Sequence, residues 1–198
     1  MIKKRFFILF IIIFVMIYSS ACTDNSEENS QSIIKVAELT EKEEALIKGT
    51  GTNQNFVFEY QEKKENEKID IWIEKYIGGV KIGPILKTTN PVNNDSSKYI
   101  MFNMTNIQDD NLWSISFIEG QNISTGKITA QNELGKTSTW DTIESIEVEK
   151  GEYILGAFVG NDGNTINGVP NEFFLEPESY MDELLANDYV YLLKIKIY

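Results

Sequence analysis

From Phe56 onward the chain alternates apolar and polar residues with a period of two. Phe56, Phe58 and Tyr60 interleave with Val57 and Glu59, and Ile69, Ile71 and Ile73 with Asp70, Trp72 and Glu74. Ile100, Phe102 and Met104 interleave with Met101 and Asn103, and Trp113, Ile115 and Phe117 with Ser114 and Ser116. Alternation of this kind predicts strands with one face buried and the other wet, as in antiparallel sheets. Shorter strand-like runs lie at 127–131, 143–148 and 153–159. The chain closes on YVYLLKIKIY at 189–198, with Lys194 and Lys196 on one face. Gly78-Gly79 marks a turn, with Val80 and Ile82 continuing the pattern beyond it.

Two short segments break this rhythm. Thr40–Lys48 reads as a helix with a Thr40/Glu43 capping box, and Gly49 stands where a left-handed residue would end it. Pro177–Ala186 reads as a second helix, with Pro177 near its first position and Asn187 past its end. About eight short strands, Asn/Asp/Gly turns and two brief helices predict a mainly β domain. The first choice is an antiparallel β-sandwich, Ig-like or jelly-roll-like, and the alternative is a closed β-barrel. On this pattern Trp72, opposite Ile69, Ile71 and Ile73, is the best single candidate for an exposed aromatic. The competing reading, that Trp72 is core, is favoured by how strongly Trp is usually buried.

The N-terminus follows a different rule. Lys3, Lys4 and Arg5 precede a run of 13 apolar residues, Phe6–Tyr18, and then the small residues Ser19, Ser20 and Ala21. Charge, run length and small residues together predict an export signal over 1–21. The run falls short of the roughly 20 residues of a membrane-spanning helix. Cleavage by an ordinary signal peptidase would leave Cys22, the single cysteine, as a free thiol on an exported protein. The Ala21-Cys22 pair and the polar stretch behind it resemble the bacterial lipoprotein signal, with Ser19 standing where that signal usually has an aliphatic residue. The resemblance implies lipid attachment at Cys22 and anchoring on the extracytoplasmic face of the cell membrane. The plan as a whole resembles uncharacterised lipoproteins of Gram-positive bacteria, which implies no activity and lends no site residues. The expected organisation is a signal at 1–21, a lipid-anchored tether at 22–38 and one globular domain at 39–198.

Charge narrows the partners. Removing residues 1–21 takes away three cations and no acid, so 15 basic residues face 30 acidic ones, a formal charge of −15 over 177 residues. Phosphate backbones are bound through Lys and Arg, so nucleic acid is not an expected partner. Anionic lipid surfaces should repel the domain, leaving the anchor on Cys22 to hold it.

Candidate chemistry is sparse. The chain has no histidine, which removes Ser-His-Asp and Cys-His catalysis and ordinary zinc or copper sites. Residues 130–137 match a relaxed phosphate-loop pattern, but Ala130 replaces the first glycine and no helix is predicted after Thr137. Ser124 and Lys127 have S-x-x-K spacing, yet only eight residues separate Lys127 from Lys136, so a hairpin turn carrying Gly126 and Gly135 is the better reading. The loop at 160–168 offers Asp162, Asn164 and Asn167 as oxygen ligands, but it lacks the spaced acids of a calcium loop, and turns demand the same residues. No catalytic, metal-binding or cofactor-binding residue is therefore assigned, and no cofactor is expected. The leading expectation is a non-catalytic binding domain for an unknown protein or glycan ligand. The alternatives are a cell-envelope enzyme using paired carboxylates and a structural envelope or spore protein.

Overall fold

A computed structural model describes residues 31–62, 68–92, 97–131 and 134–198. The expected export signal, Cys22 and the first part of the expected tether lie outside these residues. Residues 31–198 form one compact unit.

In chain order the elements are β1 (Ser32–Val36), α1 (Glu41–Lys48), β2 (Gln54–Gln61), β3 (Lys68–Ile77), β4 (Val80–Pro91), β5 (Lys98–Ile107), β6 (Asp110–Glu119), β7 (Asn122–Gln131), β8 (Thr137–Thr142), β9 (Ser145–Val148), β10 (Gly151–Asn161), α2 (Pro177–Leu184) and β11 (Tyr189–Ile197). Among the described residues they make a six-stranded sheet, β7-β6-β5-β2-β1-β9, and a five-stranded sheet, β4-β3-β11-β10-β8. Every pairing is antiparallel. This is the β-sandwich that the alternation predicts, and it does not close into a barrel.

The inner faces carry the predicted residues. Phe58, Ile100, Ile115 and Trp113 from the six-stranded sheet meet Ile71, Ile73, Leu193 and Ile195 from the five-stranded one, all at most 5 % exposed. Trp113 stacks on Tyr191 at 4.9 Å between ring centroids and meets Phe158 edge-on at 6.3 Å, which ties the two sheets together. Aromatic pairs at these separations add about 0.5–1.5 kcal/mol each beyond the area they bury. The β3–β4 hairpin turns at Gly78 and Gly79 with φ of 53° and 76°. Positive φ at both central residues matches the twist of a two-residue hairpin and suits glycine.

Three expectations need correction. Residues 32–38 are not tether. Ser32–Val36 pairs with both β2 and β9, and Ile34 is fully buried, because this run alternates in the same way as the later strands. The domain therefore begins near residue 31, not 39. Gly49 is right-handed at φ −63°, and the left-handed glycine is Gly51 at φ 80°. Gly126 is not in a turn but in the middle of β7. A Cβ there would sit 2.7 Å from the Thr88 methyl group, so glycine lets β4 approach β7 where the two sheets meet.

Candidate functional site

The outer face of the five-stranded sheet concentrates the charged and aromatic residues of β3, β4 and β11. Register sets Lys87, Trp72, Lys194 and Ile154 side by side in one row across four strands. The next row runs Thr89, Asp70, Lys196 and Glu152. Trp72 thus lies between Asp70 and Glu74 along its strand and between two lysines across it. Both lysine ammonium groups lie 5.6 Å from its ring centroid.

The carboxylates are engaged. Asp70 accepts from the Thr89 hydroxyl at 2.7 Å and the Tyr198 hydroxyl at 2.8 Å, and pairs with Lys87 at 2.8 Å. Burial works to raise its pKa, but those hydrogen bonds and the Lys87 charge outweigh it and hold the carboxyl down at about 2. Glu74 pairs with Lys81 and with Lys194, and accepts from the Tyr76 hydroxyl at 2.9 Å. Its pKa is also lowered, because burial is outweighed by hydrogen bonds from Lys81, Lys194 and Tyr76. Lys194 pairs with Glu152 as well. Burial disfavours its charge, yet bonds to Glu152 and Glu74 leave its pKa raised.

Trp72 is 8 % exposed and is therefore core, not an open platform. Strand β3 was predicted to be wet on one face, but Asp70 and Glu74 are 3 % and 4 % exposed. Lysine stems from β4 and β11 cover one part of that face. The segment carrying α2 covers another, burying Phe173 and Leu184 completely.

Beside this lattice runs a groove of about 880 Å³ between the β10–β11 surface and the 174–181 segment. Phe174, Leu175, Met181 and Ile154 give it an apolar wall, while Glu152 and Lys194 form its charged floor. Leu175 is 75 % exposed at its lip. Glu176 and Glu178 add two further carboxylates to the lining. This groove, with its mixed lining and its floor set by the ion-pair lattice, is the candidate site.

A family model, the YgaN domain, matches residues 33–197. The chain belongs to the YgaN domain family. That family is uncharacterised, so membership carries no activity with it. No curated protein and no solved structure matches the chain. The matched span coincides with the sandwich from β1 to β11, so the YgaN domain is the whole described fold.

The motifs singled out in the sequence stand elsewhere in this YgaN domain. Ser124 and Lys127 lie within β7, and Thr137 opens β8 and not a helix, so neither a serine–lysine nor a phosphate-loop arrangement forms. At 160–168, Asp162 accepts from the Tyr189 hydroxyl at 3.2 Å, and its amide donates to the Asp188 carboxylate. The Asn167 amide donates to the Asn187 side-chain oxygen, while the Asn187 amide group donates to the carbonyls of Leu184 and Asn167. Asn187 thereby caps α2 and fastens the loop to it. Among the described residues no group of three or more His, Cys, Asp or Glu is placed to hold a metal ion. Also among them, no helix is long and apolar enough to cross a membrane.

The sequence reading missed one buried charge cluster. Lys98, 2 % exposed, pairs with Glu62 at 2.9 Å and with Glu119 at 4.0 Å. The signal was present. Lys98 lies two residues before Ile100, Glu119 two after Phe117 and Glu62 two after Tyr60, so each continues an inward-facing series.

Proposed function

We propose that the protein is an exported, lipid-anchored binding protein whose YgaN domain takes an unidentified protein or glycan ligand at the extracytoplasmic face of the membrane. The export signal at 1–21 and the Ala21-Cys22 pair support the location. The groove beside Lys194 carries the binding reading. It pairs an apolar wall with a few fixed polar groups, the general form of a recognition site.

The carboxylate chemistry favours binding over hydrolysis at the ion-pair lattice. Asp70 and Glu74 are four residues apart on one strand, about 13 Å at strand rise, whereas Glu74 and Glu152 come closer because both pair with Lys194. Glycosidase pairs sit about 5–10 Å apart, and one partner must hold a proton near neutral pH. Asp70 and Glu74 have lowered pKa values instead, and each of the three acids is paired with a lysine.

The test is a panel of cell-wall glycan fragments and envelope peptides titrated against the whole chain, followed by amide chemical shifts. Saturable binding that perturbs residues 152–154 and 174–181, and weakens in Leu175→Ser, supports the reading. Turnover of a glycan or ester substrate by the protein overturns it, and so does the absence of any saturable binder.

A further inference from the structure

Helix α1 is held without a core. None of its residues is buried, although it carries Ala45, Leu46 and Ile47 in succession. Its order comes from local bonds. Thr40 and Glu43 close the capping box, with the Thr40 amide donating to the Glu43 carboxylate at 2.8 Å, and Lys48 pairs with Glu44 at 3.0 Å. Amphipathic helices in proteins are normally stabilised by the face they bury, and this one leaves Leu46 64 % exposed.

Below α1 lies the outer face of the six-stranded sheet. That face carries Tyr99, Met101 and Ile118, with Ile123 opposite Ile118 on β7 and 67 % exposed. A groove of about 260 Å³ is lined by Leu46 and Ile47 of the helix and by Tyr99, Met101 and Ile118 of the sheet, and a second of about 310 Å³ runs along β2, against Asn55–Phe58. The helix thus stands over an apolar channel and does not fill it.

The surroundings select the occupant. Glu38, Glu41, Glu43 and Glu44 are exposed on and just before α1, against Lys42 and Lys48, the latter paired with Glu44, which leaves an excess of two acids along this segment. The whole chain carries −12. A second copy of this chain would bring the same acids onto themselves, since a two-fold interface apposes identical patches. An anionic lipid surface is repelled for the same reason.

We infer that the channel between α1 and the six-stranded sheet docks a basic amphipathic segment of a partner protein, its apolar stripe against Leu46, Met101 and Ile118 and its Lys or Arg residues toward the α1 carboxylates. This is the helix-in-groove mode, with charge setting orientation and encounter rate. The inference concerns the opposite sheet from the groove beside Lys194 and does not rest on that binding reading.

The probe is a Leu/Lys peptide of about five helical turns, with a Leu/Glu peptide of the same pattern and a Ser/Lys peptide as controls. Each is titrated by fluorescence anisotropy against the whole chain in neutral detergent micelles, with empty micelles subtracted. The expected result is saturable binding of the Leu/Lys peptide alone, weakened by salt. Leu46→Lys should raise Kd by about tenfold or more, while Leu175→Lys in the other groove leaves it unchanged. Because Leu46 is mostly exposed, Leu46→Lys should fold normally, and an unchanged circular dichroism spectrum confirms that it does. Equal binding of the Ser/Lys peptide, tighter binding of the Leu/Glu peptide, or equal losses in the two variants overturns the inference. Absence of saturable binding does the same, as does self-association of the protein that Leu46→Lys abolishes.

Discussion

Asp70→Asn tests whether the ion-pair lattice contributes to stability as its geometry implies. The Asp70 side chain is 5 % exposed, and the structure holds its pKa at about 2, against an unfolded value near 3.8. Each unit of difference corresponds to about 1.4 kcal/mol. The charged form therefore adds about 2 kcal/mol to stability at neutral pH. Lys87, half-exposed, is partly screened by solvent, so this is a ceiling. The folded pKa lies below the unfolded one, so the contribution is complete above about pH 5 and drains as the pH falls through 4 toward 2. By pH 3 about half of it, roughly 1 kcal/mol, should be gone.

Asn cannot take part in that titration. Urea unfolding of the wild type and Asp70→Asn at a series of pH values from 7 down to 3 should therefore show two things. The gap between them is about 2 kcal/mol at pH 7, and it narrows to about half that at pH 3. Differencing the two proteins cancels the other carboxylates, which titrate in both. A gap that stays constant over the range would refute the reasoning, because the loss would then come from shape and not from charge. A gap near zero at pH 7 would show that Thr89, Lys87 and Tyr198 find equal partners in water.

Three further outcomes follow from single positions. Gly135 has φ 69°, and a Cβ there would lie 2.3 Å from the Asn161 carbonyl oxygen, whereas Gly51 at φ 80° meets nothing. Gly135→Ala should therefore cost about 3 kcal/mol or more by thermal or urea unfolding, against about 1 kcal/mol for Gly51→Ala. Lys98→Met removes the cation from between Glu62 and Glu119 in a nearly water-free position. Unfolding at pH 7 should show a loss of about 3–5 kcal/mol. Thr40→Ala opens the capping box of a helix that contributes nothing to the core. Amide exchange at 41–48 should quicken by an amount corresponding to about 1 kcal/mol, with the global unfolding midpoint almost unmoved.

The strand positions were legible because a two-residue period survives wherever one face is buried against the other sheet. Ile100, Phe102 and Met104, and Trp113, Ile115 and Phe117, sit inside as the pattern predicts. Pattern alone cannot say what covers the other face. Asp70, Trp72 and Glu74 read as a wet edge because their neighbours in sequence are apolar, but their cover comes from residues far along the chain. Lys194 is 120 residues from Glu74, and Tyr198 is 128 from Asp70. The Lys98 cluster was hidden for the opposite reason, since lysine and glutamate at the end of an inward series look like the end of the strand. Ser32–Val36 was mistaken for tether because five residues beside a polar stretch give too short a period to weigh.

The two outer faces of the sandwich put their side chains to different uses. On the five-stranded sheet nearly every charged group has a partner within the domain, so its density of lysines, acids and aromatics is accounted for by cohesion. That alternation of acid and tryptophan along β3 looks like a binding motif, yet the face is already occupied by its own side chains. The binding proposed above is confined there to the groove that the lattice borders. On the six-stranded sheet the position is reversed. Helix α1 adds no core residue, and its cap is worth only about 1 kcal/mol, so stability does not explain why Leu46 stands exposed at the lip of an apolar groove. On the inference drawn above, Leu46 is accounted for by the partner segment it touches. For that reason the plainest helix in the sequence, and not its most ornate strand, points to a partner.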